Sequence, residues 1–343
     1  MKFRSSLVLA AFLMTFAVLA SAQSFPPTFP SYLGKNGANP FENAQNISFQ
    51  RSPSIATDPS NTYLGLYMAY GSTCSCDNYL YVNWSSDGVN WSAQHFATGI
   101  DTNFSPAIAF YNGYLWVAYV ASDGSLYLGY SHDPPAGFDV QPVQVGLSGY
   151  AFYPTSSPTL AVYNGQLWIA AIGAYQGSDD INTFTTTNGT SFFWAEYCSG
   201  INDPSGYVPQ GNSQVGMVAF NNLMYYAYQT TQQTVRVCST NGTGGSQSYS
   251  SEAGYSSGSG VSATIYNGYL TLTFKDDNGD NHQIVEGTND GANWTGEEVA
   301  FSMNGNNEIT PSAAAFNIGG TNYYYMIFTG NSGNHRMWTA VGN

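Results

Sequence analysis

A unit of about fifty residues recurs six times in this chain. A period in that range means an array of one supersecondary unit, each copy burying its apolar faces against its neighbours. The clearest copies begin Ser105-Pro106-Ala-Ile-Ala-Phe-Tyr111-Asn112-Gly113 and Ser157-Pro158-Thr-Leu-Ala-Val-Tyr163-Asn164-Gly165. Looser copies start at Ser52-Pro53, Gln214, Gly260 and Thr310-Pro311, so successive starts lie 53, 52, 57, 46 and 50 residues apart.

Within a copy the apolar residues alternate with period two, the mark of half-buried strands. Ala107-Ile-Ala-Phe110 reads as a first strand. Asn112-Gly113 reads as a tight hairpin turn, since both residues tolerate the positive φ such turns need. Second, third and fourth strands are expected over 115–119, 126–130 and 140–145, with a turn at Ser122-Asp-Gly-Ser125. Gly and Pro break every candidate helix beyond the first residues. The unit is therefore a four-stranded antiparallel sheet, and such sheets repeated radially make a β-propeller.

The sixth copy has room for only three strands before Asn343. The segment Asn46-Ile-Ser-Phe-Gln50, just before the first copy, is expected to supply the fourth and so cover an exposed sheet edge. The expected fold is all-β: a six-bladed propeller with the last blade completed by the N-terminal strand. Seven blades would need some forty further residues.

The first residues stand outside this pattern. Lys2 and Arg4 precede an apolar run over 7–19, and Ala20-Ser21-Ala22 fits a signal-peptidase site. The run is short for a membrane span. The expected division is a signal peptide at 1–22, with a retained anchor as the alternative, a linker at 23–43 and one propeller domain at 44–343. The product would be secreted, extracellular or periplasmic, with no membrane insertion after cleavage.

The chain carries 21 acidic against 7 basic residues, net −14, and loss of Lys2 and Arg4 takes this to −16. So few cations build no basic patch, which excludes nucleic acid as a partner. Export permits disulfides, and four cysteines allow three pairings. Cys198 with Cys238 would staple neighbouring repeats, Cys74-Ser75-Cys76 could close a small ring, and free thiols remain open.

A second landmark falls between third and fourth strands. It reads Ser85-Ser-Asp87-Gly88-Val-Asn-Trp91 in the first copy and Thr288-Asn-Asp290-Gly291-Ala-Asn-Trp294 in the fifth. Weaker versions occur at Thr186-Thr-Asn188-Gly189-Thr-Ser-Phe192 and Ser239-Thr-Asn241-Gly242. An Asp or Asn can bond nearby amides, Gly supplies the awkward φ, and the aromatic packs beneath. Asp87, Trp91, Asp290 and Trp294 are thus read as structural turn residues.

These turns resemble the Asp-box of the sialidase-like, or BNR-repeat, propellers, whose usual form carries one more residue between Asp and Gly. The resemblance covers nearly all the chain from Asn46 and implies the six-bladed architecture. Lectins, glycosidases and binding proteins share that superfold, so function has to come from a site. The family's sialidases hold a carboxylate with three arginines and use a Tyr–Glu nucleophile pair with an Asp acid. By that resemblance Arg51 occupies the first arginine position. Arg236 and Arg336 fall on third strands and read as surface or inter-blade residues. Glu196 and Glu286 fall on outer and third strands, away from the axis.

Propeller ligands usually meet the face where the innermost strands begin. Its rim here is rich in amides, carboxylates and tyrosines, a chemistry that suits neutral sugars through hydroxyl bonding and cover of C–H patches. Ordinary polar loops would look the same. The candidate ligand-binding residues are Arg51, Asn103, Phe104, Tyr153, Tyr175 and Asn307. Asp101 and Glu308 are the candidate glycosidase pair, because both precede innermost strands on one face and two carboxylates at a suitable separation can cleave a glycoside.

No cofactor is expected. Asp276-Asp277-Asn278-Gly279-Asp280 has the oxygen ligands calcium prefers, but Asn281 stands where the EF-hand loop has Gly, and Gly287 where it has its last acid. It reads as a polar hairpin turn, with calcium as the alternative. His95, His132, His282 and His335 are scattered, no Gly-x-Ser-x-Gly elbow occurs, and nucleotide-binding loops are absent. The leading expectation is a secreted carbohydrate-binding propeller without catalysis. The alternatives are a glycoside hydrolase and an extracellular protein-binding scaffold.

Overall fold

The structure is a computed structural model that describes Phe25, Pro27, Phe41–Glu42 and residues 51–343 apart from 59–64, 72–78, 93–99, 134–136, 140, 148–149, 176–177, 196–197, 199–202, 244–246, 257–258, 277–282, 300–308, 319 and 330–336. The described residues form antiparallel strands and no α-helix. Each repeat is one sheet. Blade one has Ser54–Thr57, Leu66–Gly71 and Leu80–Ser85. Blade two has Ala107–Tyr111, Tyr114–Val120, Leu126–Ser131 and Val143–Gln144. Blade three has Thr159–Tyr163, Gln166–Tyr175, Ser178–Thr186 and Phe193–Ala195. Blade four has Gly216–Phe220, Leu223–Gln229, Thr234–Thr240 and Gln247–Ser256. Blade five has Ser262–Tyr266, Tyr269–Lys275, Gln283–Thr288 and Thr295–Val299. Blade six has Ser312–Ile318, Thr321–Thr329 and Met337–Gly342.

A fourth strand joins blade six from the N-terminal side, as expected, and its described residues lie earlier than the expected segment. Phe41–Glu42 pairs antiparallel with the last strand, Phe41 opposite Thr339 and Glu42 opposite Trp338. The expected segment, residues 46–50, lies outside the described residues. The linker expected over 23–43 thus contributes to the sheet. Phe25, also in that span, stacks on Tyr269 at 4.8 Å and covers Gly287 on blade five.

The hairpins between first and second strands turn on positive-φ pairs: Asn112-Gly113, Asn164-Gly165, Asn221-Asn222 and Asn267-Gly268. Those residues reach the left-handed region with little strain, which fixes register and so decides which face each side chain takes.

The core is not one mass but six apolar clusters, one between each pair of neighbouring blades, first and last included. Blade one meets blade six through Ile55, Tyr70 and Trp91 against Phe316, Tyr325 and Ile327. The serines that open the repeats add polar stitches. Ser157 Oγ accepts a bond from the Ser105 amide at 3.1 Å, and Ser52 Oγ accepts one from Thr310 at 2.6 Å, linking first and last blades.

The turns between third and fourth strands are the other fastener. Asp87 Oδ1 accepts the amides of Val89 (2.8 Å) and Asn90 (2.7 Å), while Ser85 Oγ accepts that of Gly88 at 2.8 Å. Asp290 repeats this with Ala292 and Asn293, both at 2.8 Å, and Asn188 with Thr190 and Ser191, both at 2.9 Å. The glycine of each turn is covered by a ring from the preceding blade's second strand: Trp116 over Gly189, Trp168 over Gly242, Tyr225 over Gly291 and Tyr325 over Gly88. Opposite those rings stand Ala109, Ala161, Val218 and Ala314, small enough to make room. Trp91 is buried in the cluster between blades one and six, and Trp294 packs half-buried between blades four and five.

Backbone amides of Asn293 and Ala292, then the side chains of Asn293 and Thr288, hold the Asp290 carboxyl well below the ordinary range. Burial works to raise Asp87, but its bonds from Asn90, Val89 and Ser85 outweigh it and the net shift is downward. Both carboxylates are committed to their own turns. Asn83, in the sequon Asn83-Trp-Ser85, is 1% exposed and donates to the Ser92 carbonyl at 2.7 Å, so the folded chain does not present it.

Candidate functional site

The axial channel offers little chemistry. The six innermost strands leave a cavity of about 60 Å³ there, with Ser54, Thr159, Ser262 and Ser312 as its side-chain hydroxyls. No charged group is among its lining residues.

Of the described candidate ligand residues, Arg51 and Phe104 come together beside Asn103, while Tyr153 lines a separate cavity. Arg51 is half-buried, its guanidinium 6.0 Å from the Phe104 ring centre, and burial lowers its pKa. Phe104 itself packs against the cluster between blades two and three. Asn103 anchors the linker into blade two: its amide donates to Val120 O at 2.7 Å and its Nδ2 to Ala121 O at 2.8 Å. Asp101 is exposed and forms a β-bridge with Tyr79. Tyr175 ends the second strand of blade three, opposite Ser178. Glu308, Asn307, Glu196 and Arg336 lie outside the described residues, as do Cys74, Cys76, residues 1–22 and the span 277–282 of the acidic hairpin. Among the described residues no group of three or more His, Cys, Asp or Glu could hold a metal ion.

Tyr153 belongs elsewhere. It stands 58% exposed at the mouth of a cavity of about 120 Å³ between blades two and three. An apolar cavity of about 150 Å³ holds a benzene ring, so this one suits a single ring face or substituent. Phe184, Trp194 and Asn182 of blade three form one wall; Leu147, Phe152 and Tyr153 of the linker between the blades form the other. Trp194 Nε1 donates to Asn182 Oδ1 at 3.2 Å, and Asn182 Nδ2 donates to Gly173 O at 3.1 Å and Asp180 O at 3.0 Å.

The repeat shows how blade three differs. Each third strand faces a second-strand residue four places before the turn landmark. The pairs are Tyr70 with Tyr81, Tyr119 with Tyr127, Tyr228 with Arg236, Phe274 with Ile284 and Phe328 with Trp338. In blade three the pair is Ala171 with Asn182. A large ring is missing on the face that carries the cavity.

The same positions one interface on are filled. Asn182, Phe184 and Trp194 correspond in blade four to Arg236, Cys238 and Tyr249, by register. The described parts of the next linker, Cys198 and residues 203–210, meet them. Cys198 is disulfide-bonded to Cys238, with Cα atoms 5.6 Å apart. Asp203 takes two bonds from Arg236, 2.6 Å from Nε and 2.7 Å from its terminal nitrogen. The guanidinium lies 4.9 Å from the Tyr207 ring centre and 5.8 Å from that of Tyr249. Arg236 is therefore buried and inter-blade, not a surface cation. Burial works to raise the Asp203 pKa, but Arg236 and the Ser205 amide outweigh it and hold the carboxyl low. Burial, then Asp203 and Asp180, push the Tyr249 hydroxyl up to about 12.

Comparison with known proteins identifies the architecture. The chain superposes on the Aleuria aurantia fucose-binding lectin, solved with alpha-methyl-L-fucoside, at TM-score 0.58 and 11% identity over 85% of this chain and 92% of that one. It matches the NanB sialidase of Streptococcus pneumoniae at TM-score 0.60 and 10% identity, over 88% and 70% of the two chains. A neuraminidase-like protein of subtype N11 from a flat-faced bat influenza A virus gives 0.54 and 9%, over 92% and 93%. The fold is that of the sialidase-like propellers. Identities this low establish fold alone. No protein-family model matches the chain, and no curated protein matches it by sequence.

Sequence reasoning missed Asn182, Phe184 and Trp194. The signal was present as a departure from the repeat, Ala171 where the other blades carry a ring.

Proposed function

We propose that this protein is an exported, carbohydrate-binding propeller and that the cavity between blades two and three is its binding site. The observation that carries the reading is the pairing of aromatic walls with an ordered amide in an open, ring-sized cavity. Indole and phenyl faces cover the C–H patch of a sugar, and its hydroxyls stay at the mouth beside Tyr153. Lectins of the same fold support binding, and the sialidases of that fold show that it also serves hydrolysis. Binding is favoured over turnover because the described lining of the channel is uncharged, while Asp87, Asp290 and Asp203 are consumed in structure. We further propose that Phe41–Glu42 closes the ring of blades, and that residues 1–22 direct export.

A glycan array tests the reading, with chromogenic glycosides run in parallel. Binding without turnover is expected. Absence of binding to every glycan would overturn it, and turnover lost on Asp101→Asn would move the protein into the hydrolases.

A further inference from the structure

We infer that the cavity between blades two and three selects an uncharged sugar, and that Asn182 sets this selectivity as the positioning residue for Trp194. The inference rests on the carbohydrate-binding reading above and adds the class of ligand. A primary amide has two N–H donors and an oxygen with two lone pairs. Both donors of Asn182 are taken by carbonyls, those of Gly173 and Asp180, and one lone pair receives the Trp194 indole N–H. One acceptor site remains; Phe184 lies beside it on the same wall, and the other wall is Leu147, Phe152 and Tyr153.

A ligand in this cavity can therefore press a C–H face on the rings and donate one hydroxyl. Among the described lining residues a carboxylate or sulfate would find no cation and, apart from the Tyr153 hydroxyl at the mouth, no free side-chain donor, too little to offset the water it gives up. The field points the same way. Tyr153 packs against Gly124, and the adjoining Asp123 carboxylate accepts the Tyr127 hydroxyl at 3.2 Å, so the mouth is acidic, on a chain of net −14. Arg236, the corresponding residue one interface on, is already neutralised by Asp203. The site is thus unlike one built to hold a carboxylated sugar, although enzymes of this fold include sialidases.

The Trp194 N–H bond gives Asn182 its role. It fixes the plane of the indole against the cavity, and a ring held in place loses less entropy when a sugar stacks on it.

The test is a calorimetric titration with matched methyl glycosides of three ring configurations, each with C6 as CH₂OH or as carboxylate, and with one oligosaccharide in sialylated and desialylated forms. Neutral members are expected to bind, and acidic counterparts at least about tenfold more weakly. Asn182→Ala should weaken the neutral ligand by about tenfold or more, gain no acid binding, and abolish the near-ultraviolet dichroism band that Trp194→Phe also removes. If Asn182→Ala does not fold, Trp194→Phe, which lacks the N–H, carries the test through weaker neutral binding. Acidic glycans that bind as well as neutral ones would overturn the inference while leaving carbohydrate binding intact. So would unchanged affinity and an unchanged Trp194 band in Asn182→Ala. Failure of every glycan would instead remove the carbohydrate reading, and this inference with it.

Discussion

The interface between blades two and three and the interface between blades three and four use the same strand positions to opposite ends. At the first, Asn182, Phe184 and Trp194 wall an open cavity. At the second, their counterparts Arg236, Cys238 and Tyr249 are covered by a linker tied down through a disulfide and a buried ion pair. The blades themselves are nearly interchangeable. What differs is the linker that crosses each interface and one ring-sized residue beneath it. In a repeat fold the shared residues therefore explain assembly, and recognition is to be sought where a repeat breaks its own rule.

The difference between the two interfaces rests most heavily on the Asp203–Arg236 latch. Asp203→Ala leaves Arg236 buried without its anion and should cost about 3–5 kcal/mol, read as a lower urea midpoint. Replacing both, as Asp203→Leu with Arg236→Met, should recover most of that loss, since apolar pairs of similar volume often match a buried ion pair. If the double variant is as damaged as the single one, the pair is more than a latch.

Removing the disulfide with Cys198→Ser and Cys238→Ser reopens a span whose ends are 40 residues apart. Loop entropy puts the loss at about 4 kcal/mol or less, visible in thermal unfolding without reductant and absent when wild type is reduced. Neither change should alter ligand binding between blades two and three.

Acid should act on the latch with a definite sign. Asp203 is held below its unfolded value, so the stability it contributes is present above about pH 4 and is lost as pH falls through the folded value. Urea midpoints of wild type and of Asp203→Ala should therefore converge as pH falls below about 4. A gap that stays constant to pH 3 would show that Asp203 does not carry it.

The smallest stability effect is expected at the cavity. Trp194 is only partly buried, so Trp194→Ala should cost about 1–2 kcal/mol, a small shift in urea midpoint. A loss comparable to that of Asp203→Ala would mean that Trp194 serves packing first.

Much of the architecture was legible because it rests on local chemistry. Asn112-Gly113 and Asn164-Gly165 mark hairpins, and period-two runs mark strands. That an N-terminal strand joins blade six was legible from the three-strand length of the last repeat; its place at Phe41–Glu42 was not, because two residues have no period to detect. Arg236 read as a surface or inter-blade residue because it alternates with Val235 and Val237, and the choice was not legible because its partner Asp203 sits 33 residues away in a linker without regular structure. Cys198 with Cys238 was one of three open pairings, since nothing in spacing places a linker over a neighbouring blade. The cavity was hidden for the same reason. Ala171 looks ordinary in a strand and becomes informative only beside Tyr70, Tyr119, Tyr228, Phe274 and Phe328.

Sugar is proposed to bind between blades two and three, on Trp194. Calorimetric titration of wild type and Trp194→Ala with the strongest ligand from a glycan array tests it directly. Affinity at least about tenfold weaker is expected in Trp194→Ala, with the urea midpoint only slightly moved. Equal affinity in the two proteins would contradict it and send the search for the site to another interface.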